Sequence, residues 1–576
     1  MKKKALKINF HLLLIVALSL IPALAILSNP LLFHSHDGPA HLAKIAGYHQ
    51  ALTGGQFPVR WASGFNYGYG SPVFVFTYQW PYLLSAAFLI AGFGLVSAFK
   101  LGLLLGLLSA GVFMFLAAKQ FFKDSRKALL SALFYQFYTY HLALIAIRGA
   151  YGELWSYAFA PLPLLGLAHI YRHHNRKGIL ITALGSGLLL ISHNTVSLSY
   201  YIAAALFTLL VLDGLKQKSL AAFGLLLGLG LAAFYWLPVL YEKQFTYGDL
   251  FVKDMYLNHF PKLWQFFIPN PANRSFGLVG DVPVQIGLPW LLGLGIGAFL
   301  LIKKKLDRFY KRLLCWCLLI FFFCLFFMQP VSAPLWQRFS ILRSFQFPWR
   351  LLSPLGLGLS LSAVSFFYVL PLKKNWFFFA LLIISLGSTV YYWRPLLGYD
   401  RVDEQYYWRY PLNSTYFGEA NTIWAGNPPD AYPSTRLDII DGEGEIKDPL
   451  FKQTVHRYRI VAASEINILD RTLFYPGWKV YGGGREIPVQ FQDPEYRGLI
   501  TFRLPAGEHQ ISVRFEKTKD RLFAELISLV SAAIWLTILA RPKNSPICLR
   551  LQLKSLGLSP GLPKPNKGKV AKPPLF

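Results

Sequence analysis

Apolar runs long enough to cross a bilayer recur along most of the sequence, at about 10–27, 99–118, 128–147, 153–171, 178–192, 196–212, 219–240, 285–302, 312–328, 348–371 and 522–540. A hydrocarbon core about 30 Å thick needs roughly 20 residues of helix to span it. No water satisfies backbone groups there, so such runs are confined to helices. A soluble globular fold is excluded. The charge must then be read as topology: 57 Lys+Arg against 28 Asp+Glu, net +29, would suggest a nucleic-acid binder only in a soluble chain.

Lys and Arg mark the short cytoplasmic loops of a membrane protein. Basic clusters at 2–7, 119–127, 172–177, 213–218, 303–312, 373–374 and from Arg541 onward hold 29 basic residues and only three acids, Asp124, Asp213 and Asp307. All are assigned to the cytoplasm, and the apolar runs between them pair as outward and returning helices. Parity requires an odd number of crossings between the first span and the cluster at 119. The stretch 73–97, broken by Pro72, Pro81, Gly92 and Gly94 and rich in interfacial aromatics, is therefore expected to be re-entrant or surface-lying. The expectation is a polytopic α-helical membrane protein of about 12 transmembrane helices, multi-pass in a bacterial cell membrane, with both termini cytoplasmic.

The transmembrane domain covers 1–393, with a first outer loop at 29–98 and another at 241–284. Residues 394–520 differ: 16 basic and 18 acidic residues, alternating strings such as RYRIVAAS and HQISVRFE, and turns at Gly482–Gly484 and Pro505–Gly507. Period-2 alternation with Gly/Pro punctuation predicts an antiparallel β-sandwich, here extracytoplasmic. A last helix, 521–541, leads to a basic tail, 542–576, expected to be disordered. The start, MKKKALK before an apolar run with Ala23-Leu24-Ala25, resembles a signal peptide and is expected to stay as an uncleaved anchor. Four cysteines, three of them inside one apolar run, give no disulfide framework.

Acids are scarce in the membrane part, so each one is informative. On its outer face they are Asp37, Glu153, Glu242, Asp249, Asp254 and Asp281. Asp37 stands in HSHDGPAHL, where Gly38 and Pro39 start a helix. The same loop offers His36, His41, Arg60, Trp61 and Tyr67 for sugar stacking and phosphate contact. Glu153 follows RGAYG, within reach of Arg148. His193-Asn194 closes a short outer turn, and LRSFQFPWR supplies Arg343 and Arg350, whose guanidinium geometry suits a lipid phosphate. The plain alternatives are that Asp37 caps a juxtamembrane helix, that Arg148 and Glu153 form a weak surface pair, and that the arginines anchor headgroups. No Walker A, HExxH or dinucleotide motif occurs.

This arrangement resembles the GT-C superfamily of membrane glycosyltransferases. HDGPAHL with FPVRW and NYGYGSPVF resembles the bacterial membrane family named "6-pyruvoyl-tetrahydropterin synthase-related", and LFYPGWKVYGGGREIPVQ resembles the outer domain of YfhO-like proteins. The resemblance implies transfer of a sugar from a polyprenyl-phosphate-linked donor to a glycan, lipid or protein acceptor at the outer face of the membrane. Asp37 would be the first-loop catalytic acid, acting as general base. Glu153 would be the second-loop acid, which in some members helps bind a divalent metal, Mg or Mn, although neither loop carries a clear Asp-x-Asp. Two other classes stay open: a lipid or glycan transporter or flippase, and a non-catalytic cell-envelope protein that binds through its β domain around Trp478.

Overall fold

The computed structural model describes residues 10–268, 282–303, 306–372, 374–413, 420–426 and 429–541. The basic stretch 2–7, Asp281 and the tail 542–576 lie outside the described residues. Five helices are long and apolar enough to cross a membrane: Phe10–Leu27, Leu95–Phe122, Arg308–Phe327, Pro348–Val369 and Lys519–Ala540. Two bent pairs, Ser125–Gln136 with Thr139–Arg148 at 44° and Gly214–Leu231 with Ala233–Phe245 at 66°, bring the number to seven. The other runs expected to cross form shorter helices, among them Val196–Leu210, Leu288–Ile302 and Asn375–Gly387. A multi-pass membrane protein follows from the described helices; twelve crossings require the shorter ones to cross as well.

Prolines free two backbone carbonyls within the expected spans, and both are taken up. Pro238 cannot bond the carbonyl four residues back, and the Arg60 guanidinium donates to that Phe234 carbonyl at 3.0 Å. Pro161 likewise frees the Tyr157 carbonyl, which the Tyr135 hydroxyl takes at 2.6 Å, where Tyr151–Phe159 meets Pro161–His173. The first helix runs unbroken through Ala23-Leu24-Ala25 and packs Ile15, Ala23 and Ile26 against the bundle.

In the first loop, the helix Gly38–Thr53 carries Pro39 in its first turn, where a helix was expected to begin. The stretch 73–97 yields only Val73–Phe76 and Trp80–Ile90 before Leu95. Eleven residues rise about 16 Å, too short to span the bilayer. Of the region read as β domain, residues 394–413 pack back onto this loop instead. Tyr399–Asp400 pairs antiparallel with Leu32–Phe33, and the Glu404 carboxylate accepts from the Leu95 and Val96 amides at 3.0 and 2.9 Å, capping Leu95–Phe122.

The described strands of the β domain run from Leu437 to Phe515 in two antiparallel sheets. One has five strands in the order Gly444–Lys452, Val455–Ala462, Gly507–Phe515, Trp478–Gly482 and Arg485–Ile487; the other orders Leu437–Asp441, Ile466–Leu473 and Leu499–Leu504. Ile460, Val480 and Val513 from the first sheet and Ile468, Ile500 and Phe502 from the second share one apolar cluster. Trp61 and Val75 of the first loop belong to that cluster too. A buried ion pair, Glu242 with Arg521 at 2.8 and 2.7 Å, ties the last helix to the bent pair.

Candidate functional site

The bend His36–Asp37, just before the helix Gly38–Thr53, lies against the end of the helix that carries Arg148. The His36 amide donates to the Ile147 carbonyl at 3.2 Å and the Asp37 amide to the Arg148 carbonyl at 2.8 Å. A π-helical turn, Leu144–Arg148, closes on Gly149 at φ 62°, and a Cβ there would stand 2.7 Å from the Ser35 hydroxyl. Glycine thus permits both the left-handed turn and the close approach of the two loops. Asp37 precedes its helix, but its carboxylate makes no capping bond. It is 36% exposed and turns toward a cavity of about 420 Å³. The plain alternative, a carboxylate that caps this helix, has no such bond behind it.

Loops from distant parts of the sequence close this cavity. Asp37, His41 and Lys44 come from the first loop, Arg148 and Glu153 from the next, and His193 and Asn194 from the short turn; Lys243 lies in the last turn of the second bent pair, and Gln346 and Arg350 lead into the helix near 350. Arg148 is 4% exposed and lies between the two acids, donating to Asp37 Oδ2 at 3.3 Å and to Glu153 Oε2 at 2.5 Å, with its guanidinium 4.9 Å above the Trp349 ring. Arg350 approaches Glu153 at 3.6 Å and donates to the Phe345 carbonyl at 2.9 Å and Gln346 Oε1 at 2.8 Å. Gln346 adopts φ 64°, an uncommon conformation for a non-glycine residue.

Glu153 is the second acid expected to face the same cavity as Asp37. It borders that cavity but is 1% exposed behind the arginines, and the Tyr140 hydroxyl donates to its other oxygen at 2.6 Å. Its position suits holding two guanidinium groups. Nor do Asp37 and Glu153 fit a shared Mg or Mn ion, because Arg148 fills the space between them and bonds both. Among the described residues no group of three or more His, Cys, Asp or Glu side chains is placed to hold a metal.

His41 is spent within the protein. Its Nε2 accepts from the Tyr151 amide at 3.3 Å, so Nδ1 carries the proton donated to the Tyr82 hydroxyl at 2.7 Å. Burial pushes its pKa down to about 3. His193 Nδ1 accepts from the Thr195 and Val196 amides, which leaves Nε2–H as the donor; burial, aided by Arg350 and Arg148, holds this ring neutral. Burial would raise Asp37, but Arg148 foremost, with His41, Arg350 and His36, holds its carboxyl below the usual value. Both neutral imidazoles contribute little charge near pH 7, so the arginines dominate.

Of the residues expected at the site, Asp37, His41, Arg148, Glu153, His193, Asn194 and Arg350 meet at the cavity. Asn194 is itself engaged, donating to the Phe76 carbonyl at 2.9 Å and accepting from the Tyr235 hydroxyl. His36, Arg60, Trp61, Tyr67 and Arg343 are not among the lining residues. Arg60 pairs with Glu525 at 3.4 Å, Trp61 is buried against Trp478 and Phe515, and Tyr67 packs edge-on against Tyr432. They clamp the first loop to the β domain and the last helix. Lys44, Lys243 and Tyr140 were missed. Lys44 was within reach of sequence reasoning, since positions 37, 41 and 44 share one helix face; Lys243 and Tyr140 arrive through tertiary contacts.

No family model matches the sequence and no curated protein matches it. Among solved structures the chain is similar to the arabinofuranosyltransferase AftD from Mycobacteria, with 16% identity and a TM-score of 0.43, over 67% of this chain but only 27% of that one. It is also similar to ArnT from Cupriavidus metallidurans bound to undecaprenyl phosphate, with 13% identity and a TM-score of 0.28, over 62% of this chain and 76% of that one. Likeness this low carries no argument about chemistry, and nothing in it supports the narrower YfhO-like or pterin-synthase-related resemblance.

Proposed function

We propose that the chain transfers a sugar from a polyprenyl-phosphate-linked donor to an acceptor at the outer face of the membrane. One observation carries this reading: Asp37, the accessible carboxylate of the described cavity, shares it with four cationic side chains, Lys44, Arg148, Lys243 and Arg350. A phosphate-linked glycosyl donor needs a base for the acceptor hydroxyl and positive charge for the departing phosphate. The acceptor oxygen bonds to the anomeric carbon as the bond from that carbon to the phosphate oxygen breaks. The hydroxyl proton passes to Asp37, and the electron pair leaves with the lipid phosphate. A single displacement inverts the anomeric centre.

Arg148 orients Asp37 and cannot leave it, because Glu153 fixes its other nitrogen. Arg350 and the lysines are the groups suited to the phosphate, and His193 Nε2–H suits a sugar hydroxyl. A transporter would place its ionisable groups deep between broken helices; these lie where helices meet loops. Binding of a polyprenyl monophosphate to the purified chain tests the reading. Arg350→Ala is expected to weaken that binding at least tenfold, the size of one charge-assisted contact. Unchanged affinity would remove Arg350 from the phosphate site.

A further inference from the structure

We infer that the opposite end of the helix bundle carries a second ligand site, for the phosphate group of an anionic ligand about the size of a lipid headgroup. A separate cavity of about 270 Å³ opens there, lined by Lys127, Arg172, Tyr171, Phe309, Tyr310 and Tyr368. Pockets for drug-sized molecules begin at about 300 Å³, so this one holds a headgroup rather than a whole lipid. It adjoins Phe121, near the end of the helix Leu95–Phe122, whereas Gly38, beside Asp37, faces Phe99 near its start. The intervening 22 residues place the two cavities about 33 Å apart.

The way the two cations are held points to an anion. Among the described residues no ion pair or hydrogen bond engages the Lys127 ammonium, which sits 5.8 Å from the Phe367 ring centre and 5.3 Å from that of Tyr368. Arg172 stands 5.3 Å from the Tyr171 ring and 5.9 Å from the Phe309 ring, and gives one N–H to the Phe121 carbonyl. Rings hold a cation without neutralising it. Nearby, by contrast, Arg308 and Arg312 are both paired with Asp213. The one carboxylate on the cavity wall, Asp307, accepts from the Tyr310 amide at 2.9 Å and caps the helix Arg308–Phe327.

The loops that build this cavity are those whose Lys and Arg excess reads as cytoplasmic, and basic pockets between helices on that side suit anionic lipid headgroups. A free phosphate ester offers the same chemistry. Thermal unfolding of the purified full-length chain in detergent separates the sources, since a ligand that binds only the folded state raises its Tm. Phosphatidylglycerol, but not phosphatidylcholine, is expected to raise the Tm. Lys127→Gln with Arg172→Gln should reduce the apparent affinity for phosphatidylglycerol at least tenfold, while Arg308→Gln, at an exposed position, should not. If inorganic phosphate gives the same variant-sensitive shift, the ligand is a soluble phosphate; if only the lipid does, it is a headgroup. Should the double variant not fold, Lys127→Gln alone, which removes no hydrogen bond, makes the comparison. Absence of a shift with both probes, or an equal shift in the variants, overturns the proposal.

Discussion

Replacing Asp37 with Asn is expected to lower the rate of sugar transfer by about a hundred- to ten-thousand-fold, the usual contribution of a positioned general base. The amide keeps the shape of the side chain and can still accept from Arg148, so insertion and folding should persist. The Asp37–Arg148 contact, at 3.3 Å with Asp37 36% exposed, contributes less than about 1 kcal/mol to stability. The loss should therefore appear in kcat with little change in donor KM. The pH profile sharpens the test. His41 titrates near 3 and His193 well below its usual value, so neither changes charge near neutrality. A carboxylate whose pKa is lowered stays an available base until the pH falls through that lowered value. The wild-type rate should thus stay flat from roughly pH 8 down to 5, and an acid limb centred near 6.5 would point to a histidine base instead.

Glu153→Gln is expected to act differently, through stability. The carboxylate is 1% exposed and contacts Arg148, Arg350 and the Tyr140 hydroxyl. Were Arg148 and Glu153 the weak surface pair of the plain alternative, the substitution would cost under about 1 kcal/mol. Removing one partner of a buried pair typically costs about 3–5 kcal/mol, because the remaining charge stays buried without compensation. Here two guanidinium groups lose their shared partner, and Arg148 keeps only its 3.3 Å ion pair with Asp37. The expected result is a clear fall in the thermal midpoint together with loss of transfer, since Arg148 no longer holds Asp37 in place. A variant with the wild-type midpoint would show that Glu153 is not the anchor of the site.

How much of this was legible in the sequence depended on the kind of residue. Charge near a bilayer is costly, so the scarcity of acids narrowed the outer face to six, their places beside spans in polar strings singled out Asp37 and Glu153, and the loop positions led to Arg148, His193 and Arg350. The same reasoning misplaced Arg60, Trp61 and Tyr67, because an aromatic, cationic string looks alike whether it lines a sugar cleft or an interface. Only the fold brings Trp61 to Trp478 and Arg60 to Glu525. Burial was equally invisible: Arg148 and Glu153 were recognisable as a pair, but not as a pair closed off from solvent. The apolar runs located the helices but not their breaks, even where Pro161 marks one. Mixed charge after 393 was read as β throughout, whereas Tyr399–Asp400 and Glu404 serve the first loop.

The most direct test of the account is a cryo-EM structure of the full-length chain with a polyprenyl phosphate bound. The expected result places the phosphate in the Asp37 cavity, in contact with Arg350 and at least one of Lys44 and Lys243, with the Asp37 carboxylate facing the position of the sugar's anomeric carbon. A phosphate held only at the opposite end of the bundle, beside Lys127 and Arg172, with the Asp37 cavity empty, would contradict it.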